Sequence, residues 1–168
     1  MAVLCRKRDG RVDILNCNHY YYSLGEFIMN SDFSVAVHCV AFLAEKRNQR
    51  VTSEDIAQSV SVHPARLRKI LSILRKENLI ASKEGAKGGF TLSDPPERIT
   101  LDKIFKITSE ETLVPKCPDS NENCPIGRNL SNILIRVCHN AEQHFLNYLK
   151  GVTIQDIIDE INRSEGSV

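Results

Sequence analysis

Val51-Thr52-Ser53-Glu54-Asp55-Ile56-Ala57, Pro64-Ala65-Arg66-Leu67-Arg68-Lys69-Ile70-Leu71-Ser72-Ile73-Leu74-Arg75-Lys76 and Lys83-Glu84-Gly85-Ala86-Lys87-Gly88-Gly89-Phe90 follow one another within the stretch that decides the fold, Val51 to Pro96. Thr52 and Ser53 precede Glu54 and Asp55, the pattern of a helix N-cap followed by first-turn acids. Ile56, Ala57 and Val60 then give that short helix one apolar stripe. Pro64 suits the first turn of a second helix, where its missing N–H has no intrahelical partner to lose. Leu67, Ile70, Leu71 and Leu74 recur at i, i+3, i+4, i+7, which predicts a buried face. Ala65, Arg66, Arg68, Lys69 and Ser72 fall on the other face.

Between His63 and Phe90 stand seven Lys or Arg against two Glu, a net of +5 (7 − 2), while the whole chain is only +1. Positive charge concentrated on one module matters more for a phosphate partner than a near-neutral total. Leu79-Ile80-Ala81-Ser82 and Gly89-Phe90-Thr91-Leu92 bracket a turn with glycines at 85, 88 and 89, which predicts a hairpin. An isolated basic helix is more often a solvated surface than a binding element. The ordered set of helix, turn, basic helix and glycine-rich hairpin reverses that preference, because it suits a module that places one helix in a DNA groove and a wing beside it.

Ile70-Leu71-Ser72-Ile73-Leu74-Arg75-Lys76-Glu77-Asn78-Leu79-Ile80, Lys87-Gly88-Gly89-Phe90-Thr91-Leu92 and Asp94-Pro95-Pro96-Glu97-Arg98-Ile99-Thr100-Leu101 closely resemble the Rrf-two family of bacterial winged-helix regulators. The resemblance runs from about Asn30 to Asn162, and Asn123-Cys124-Pro125-Ile126-Gly127 is most similar to the family's YwnA-like branch. It implies a homodimeric transcription factor, most often a repressor, of a kind in which several members sense redox state, nitric oxide or iron-sulfur supply through cysteines. It also implies that base-reading positions fall on His63, Ala65, Arg66 and Arg68. The wing position that is often Arg in the family is Glu84 here, leaving Lys83 or Lys87 as substitutes. Thr52, Ser53, Lys69 and Gly88 complete the candidate DNA-binding set.

A chain of 168 residues buries one respectable core rather than two. Four stretches are expected: an extension over 1–28, a winged helix-turn-helix over 29–100, a connecting helix and cysteine loop over 101–125, and a dimerisation helix with a C-terminal helix over 126–168. The fold class is mainly α with a small β-hairpin wing. Residues 1–28 show neither helical nor strand periodicity and no signal-peptide hydrophobic region, while Met29 makes a sensible start. They are expected to be an over-called or unused leader, poorly ordered if made; a basic arm that touches DNA is the alternative. The longest apolar stretch, Val35 to Ala44, is interrupted by His38 and too short to span a bilayer.

Cysteines stand at 5, 17, 39, 117, 124 and 138, with no C-x-x-C pair. Without a secretory signal, a reducing cytoplasm is the expected location. The short paired spacings of tetrahedral zinc are absent, so no metal is expected. Phe33, Val37, Val40, Ala41 and Ala44 predict a helix from about Asp32 to Glu45 with Cys39 in its core. From Ile126 to Lys150, Leu130, Ile133, Leu134, Val137, Ala141, Phe145, Tyr148 and Leu149 make a stripe too broad for one small neighbour, which predicts pairing with a second such helix. In the resembling family this element crosses its twin, setting two recognition helices on successive half-sites of a palindromic double-stranded operator. A last helix is predicted from Thr153 to Asn162, with Asp156, Asp159 and Glu160 facing solvent.

Pro125 fits the first position of the long helix, which makes Cys124 its N-cap. A thiolate there would meet unpaired backbone N–H groups and the positive end of the helix dipole, so Cys124 is the candidate redox-sensing residue and Cys117 a candidate resolving thiol. The alternative is that Cys124 merely packs under the loop. Cluster-binding relatives use three closely spaced cysteines and one further ligand in this loop, whereas Asn129-Leu130-Ser131 occupies the region of the third here. An iron-sulfur cluster is therefore disfavoured, and no cofactor is expected. A thiol or metal enzyme would need a nucleophile, base and orienting group in one pocket, and no Cys-His spacing points to one. A winged helix that binds protein instead of DNA is the other rival. The preferred reading is a cytoplasmic, non-membrane, DNA-binding repressor whose operator affinity responds to cysteine redox or electrophile chemistry, with a cluster-dependent regulator of the same fold as the alternative.

Overall fold

A computed structural model describes residues 31–47, 49–85, 88–109, 117 and 123–166; the expected leader lies outside them. Its elements are α1 (Ser31–Glu45), α2 (Ser53–Val60), α3 (Pro64–Lys76), β1 (Ile80–Lys83), β2 (Gly89–Leu92), a 3-10 turn (Pro96–Arg98), α4 (Leu101–Thr108), α5 (Pro125–Lys150) and α6 (Ile154–Glu165).

Helix α1 is the hub, packed against α2, α3, α4, α6 and β2. Enclosure from several sides explains why it buries Val35, Ala36, Cys39 and Leu43 as well as Phe33, Val40 and Ala44, a wider surface than the single predicted stripe. Cys39 is fully buried, and burial pushes its thiol up to about 12, so it is core. Around α1 the core gathers Ile56, Leu67, Ile70, Leu74, Ile80, Ile99, Ile104 and Ile154.

The chain leaves α3 through a reversal in which Asn78 takes a positive φ of 56°. Leu79 N–H reaches back to Leu74 O at 2.9 Å and Asn78 N–H to Arg75 O at 3.0 Å, a Schellman motif with Leu79 and Leu74 buried against the core. That reversal launches β1, which pairs antiparallel with β2 in the register Ile80↔Leu92 to Lys83↔Gly89. On the far edge of β2, Val51 and Phe90 exchange two backbone hydrogen bonds of 3.2 and 2.8 Å, tying the α1–α2 connection to the wing.

Two features attach α5 to this core. Phe33, Phe105 and Phe145 form a chain of edge-to-face contacts with centroids 5.5 and 5.1 Å apart, linking α1, α4 and α5. The elbow between α5 and α6 is clamped to the segment after the wing: Leu101 N–H donates to Val152 O and Ile154 N–H to Ile99 O, both at 2.9 Å. Helix α6 starts with a Thr153–Asp156 capping box and continues three residues beyond the predicted Asn162. Among the described residues no helix is long and apolar enough to cross a membrane.

Candidate nucleic-acid interface

Local chemistry sets the helix-turn-helix. Thr52 caps α2 through a reciprocal box: Asp55 N–H donates to Thr52 Oγ1 at 3.2 Å, and Thr52 N–H donates to Asp55 Oδ2 at 3.1 Å. Hydrogen bonds from the Thr52 hydroxyl and N–H hold the Asp55 carboxyl below its usual range. The Thr52 hydroxyl is thereby committed to the cap, and the Ser53 hydroxyl donates to Glu54 at 3.1 Å. Ser61 then turns the chain with a left-handed φ of 54°. His63 caps α3, its Nδ1 accepting from Ala65 N–H at 3.2 Å, and Pro64 takes the first helical position as its spacing predicts.

With Leu67, Ile70, Leu71 and Leu74 facing the core, α3 turns Ala65, Arg68, Lys69, Ser72, Arg75 and Lys76 to the outside, where all are exposed. The structure thus brings His63, Ala65, Arg68 and Lys69 to one surface. Arg66 is different. It is half-buried, with its guanidinium on Asp32 and Ser31 of α1.

In the wing, Lys83 is exposed, and Gly88 serves the turn by donating its N–H to Gly85 O at 2.7 Å. A Cβ on Gly88 would collide with the Lys83 carbonyl, so only glycine suits this position. Lys87 lies outside the described residues. Arg50 was missed by a charge tally that began at His63. The Val51–Phe90 bridge draws it in: a Cβ built on Gly89 would stand 3.2 Å from Arg50 Cβ, and Gly89 pairs with Lys83. Arg50 and Lys83 therefore flank a side-chain-free position on one face of the hairpin. The signal was present in Val51, an apolar residue alone between two polar stretches and next to a cation.

Cys124 is the N-cap of α5, as its position before Pro125 predicts, and its side chain makes no capping hydrogen bond. Cys124 and Cys117 are both half-buried free thiols; residues 118–122 between them lie outside the described set, so the pairing does too. Cys138 follows fourteen residues later, about 21 Å along the helix at 1.5 Å per residue. Among the described residues the loop offers two thiols, Cys117 and Cys124, against the four ligands a cluster commonly takes.

Helix α5 buries only Leu149 fully. Ile126, Leu130, Ile133, Val137 and Tyr148 stay exposed, with Ile126 at 71%, Val137 at 57% and Tyr148 at 72%. Those last three are eleven residues apart, a spacing of three helical turns that keeps the stripe on one side of a helix about 39 Å long.

Comparison with known proteins agrees with this architecture. The Rrf2 family model, described as an iron-dependent transcriptional regulator, matches residues 29–160. YwnA of Bacillus subtilis, a candidate HTH-type transcriptional regulator, is 25% identical over 134 residues, which cover 80% of this chain and 99% of that protein. The HTH-type transcriptional regulator NsrR of Bacillus licheniformis is 32% identical over 131 residues, covering 76% of this chain and 88% of that one. A crystal structure of a candidate transcriptional regulator from Lactobacillus plantarum superposes with a TM-score of 0.69 at 28% identity, over 79% of this chain and 91% of that one. A basic α3 beside a two-stranded wing, in a chain matched over most of its length by that model, makes this protein a winged-helix transcriptional regulator of the Rrf2 family.

Proposed function

We propose that the protein is a cytoplasmic, homodimeric repressor that binds a palindromic operator and loosens its hold when Cys124 is oxidised or alkylated. The carrying observation is the outer face of α3, where Arg68, Lys69, Arg75 and Lys76 are exposed while the opposite face is sealed into the core. A helix of this kind has its base-reading surface ready before DNA arrives. His63, Ala65, Arg66 and Arg68 are the reading positions; Thr52, Ser53, Lys69, Lys83, Lys87 and Gly88 supply backbone contacts, joined by Arg50. Because Thr52 and Ser53 spend their hydroxyls locally, their contribution comes through the positive N-terminal end of α2.

The exposed stripe on α5 supports pairing with a second copy, since an apolar band of this length left in water is costly. Peroxide supplies a balanced route for the switch: two thiols, Cys124 and Cys117, form one S–S bond, giving up two electrons and two protons as the peroxide becomes two waters. The bond would displace the start of α5, and the Phe105–Phe145 contact and the elbow clamp would carry the motion to the winged-helix core. The test is a shift assay on the promoter upstream of its own gene, with and without mild oxidant, for wild type and Cys124→Ser. Wild type should release DNA on oxidation while the variant stays bound; equal release by both would remove Cys124 from the mechanism.

A further inference from the structure

At their N-terminal ends α1 and α3 are joined by an ion pair between residues 34 apart in the chain. Arg66 Nε donates to Asp32 Oδ1 at 2.8 Å, and Nη2 lies 2.6 Å from the same oxygen. Nη2 also donates to Ser31 Oγ. Lys69, nearly one turn further on, brings Nζ to 3.8 Å from Asp32 Oδ2. The Asp32 side chain is only 17% exposed, against 36% for Arg66, so this carboxylate is screened less than a surface pair would be. Among the described residues Nη1 of Arg66 has no hydrogen-bond partner. One edge of the guanidinium is held, and its Nη1 is left to donate.

Two consequences follow from the chemistry of a planar fork with five donors. An arginine already held by a carboxylate loses less side-chain freedom when it meets a base edge, so a directional contact forms at lower entropic cost. The same carboxylate offsets the positive charge that a passing phosphate would meet, weakening attraction that carries no sequence information.

We propose that Asp32 is a specificity-determining positioning residue: it aims Arg66 at a base edge and withholds that guanidinium from indiscriminate phosphate contact, while the looser Lys69 stays available to the DNA backbone. The inference rests on the reading above, in which α3 enters the groove, and assigns the selectivity of that helix partly to α1.

Asp32→Asn keeps the side-chain shape and removes the charge. Fluorescence anisotropy would compare its affinity, across a salt series, for a duplex selected by the wild-type protein from a random library and for a scrambled duplex of equal length. The selected duplex should bind about ten-fold more weakly, within the range of one lost base contact. The scrambled duplex should bind roughly three-fold more tightly, with a log–log salt slope steeper by about one unit as a released cation finds a phosphate. Opposite signs on the two duplexes are the signature, because a purely structural role lowers both together. Parallel losses, or no change on either, would overturn the inference. Should the variant fail to fold, Arg66→Gln gives a second test. It should weaken the selected duplex alone, and a flattening of the scrambled-duplex slope by about one unit would overturn the inference, since Arg66 would then already contact phosphate. Wild-type protein that retains neither duplex would sink the underlying reading, and this inference with it.

Discussion

Helices α3 and α5 each carry one satisfied face and one unsatisfied face, and the difference lies in what is missing. In α3 the inner apolar face is packed to near-zero exposure and the outer face offers cations, whereas α5 turns its broad apolar stripe outward and buries only Leu149 fully. A helix that lacks counter-charge calls for a polyanion; a helix that lacks apolar cover calls for another apolar surface. The two partners proposed here, operator DNA and a second copy, are assigned by that contrast.

The contrast breaks most visibly on α5. Replacing Ile133 and Val137 together by Glu should leave a folded monomer in sedimentation and cost roughly 10²- to 10⁴-fold in affinity for a two-half-site operator, the loss expected when linked binding becomes two separate events. A variant that remains dimeric would show that α5 is not the interface.

Truncating each helix by the same chemistry sharpens the distinction. Ile70→Ala removes a fully buried side chain from α3 and should lower the unfolding free energy by about 2–5 kcal/mol at any protein concentration. Ile133→Ala should instead act through the protein-concentration dependence of the melting temperature, because Ile133 is exposed on its own chain and the cover proposed for it is a second copy. Identical behaviour in urea titrations would erase the contrast. In the wing, Gly89 has φ +139°, and an added Cβ would lie 2.8 Å from Val51 O, so Gly89→Ala should cost about 1–3 kcal/mol and expose the hairpin amides to hydrogen exchange. Unchanged protection would mean that the Val51–Phe90 bridge does not hold the wing.

How much of this was legible depended on how local the cause was. The Thr52 cap, Pro64 at the first position of α3, the stripe Leu67–Leu74, the two short strands and the Cys124 N-cap are set by residues a few positions apart, and each stands within one residue of where spacing placed it. Helix α1 was read too narrowly because a single-stripe pattern assumes one covered side, and α1 is enclosed on several. The 3-10 turn at Pro96–Arg98 went unread for its brevity. The candidate site was less legible than the fold. Spacing put Arg66 and Arg68 on one face, yet the hold on the Arg66 guanidinium comes from Asp32, 34 residues earlier, and a backbone bridge brings in Arg50. Long-range pairing of this sort leaves no periodic trace.

Smaller effects refine the picture at its edges. Lys83→Ala should flatten the log–log salt dependence of DNA binding by about 0.9 for one lost phosphate contact, with similar losses on all sequences. Sequence-selective loss would make Lys83 a reading residue. At Asp102, burial raises the carboxyl, but hydrogen bonds from Lys106 and Thr100 outweigh it and leave the group below its usual range. A depressed native value stabilises the fold above the ordinary carboxylate range, and the contribution is lost as pH falls through that native value. Asp102→Asn should therefore show a smaller drop in urea midpoint between neutral pH and about pH 3 than wild type, where unperturbed Asp titrates near 3.9. An equal drop would shift the acid sensitivity to other carboxylates.

Most directly, the central claim rests on the outer face of α3. Fluorescence anisotropy on the promoter upstream of its own gene, for wild type and for Arg68, Lys69 and Arg75 replaced together by Gln, with stoichiometry from sedimentation, tests it. The account predicts two chains of wild type per site, affinity falling steeply with salt, and at least about 100-fold weaker binding by the triple variant. Equal affinity of the two proteins would contradict it.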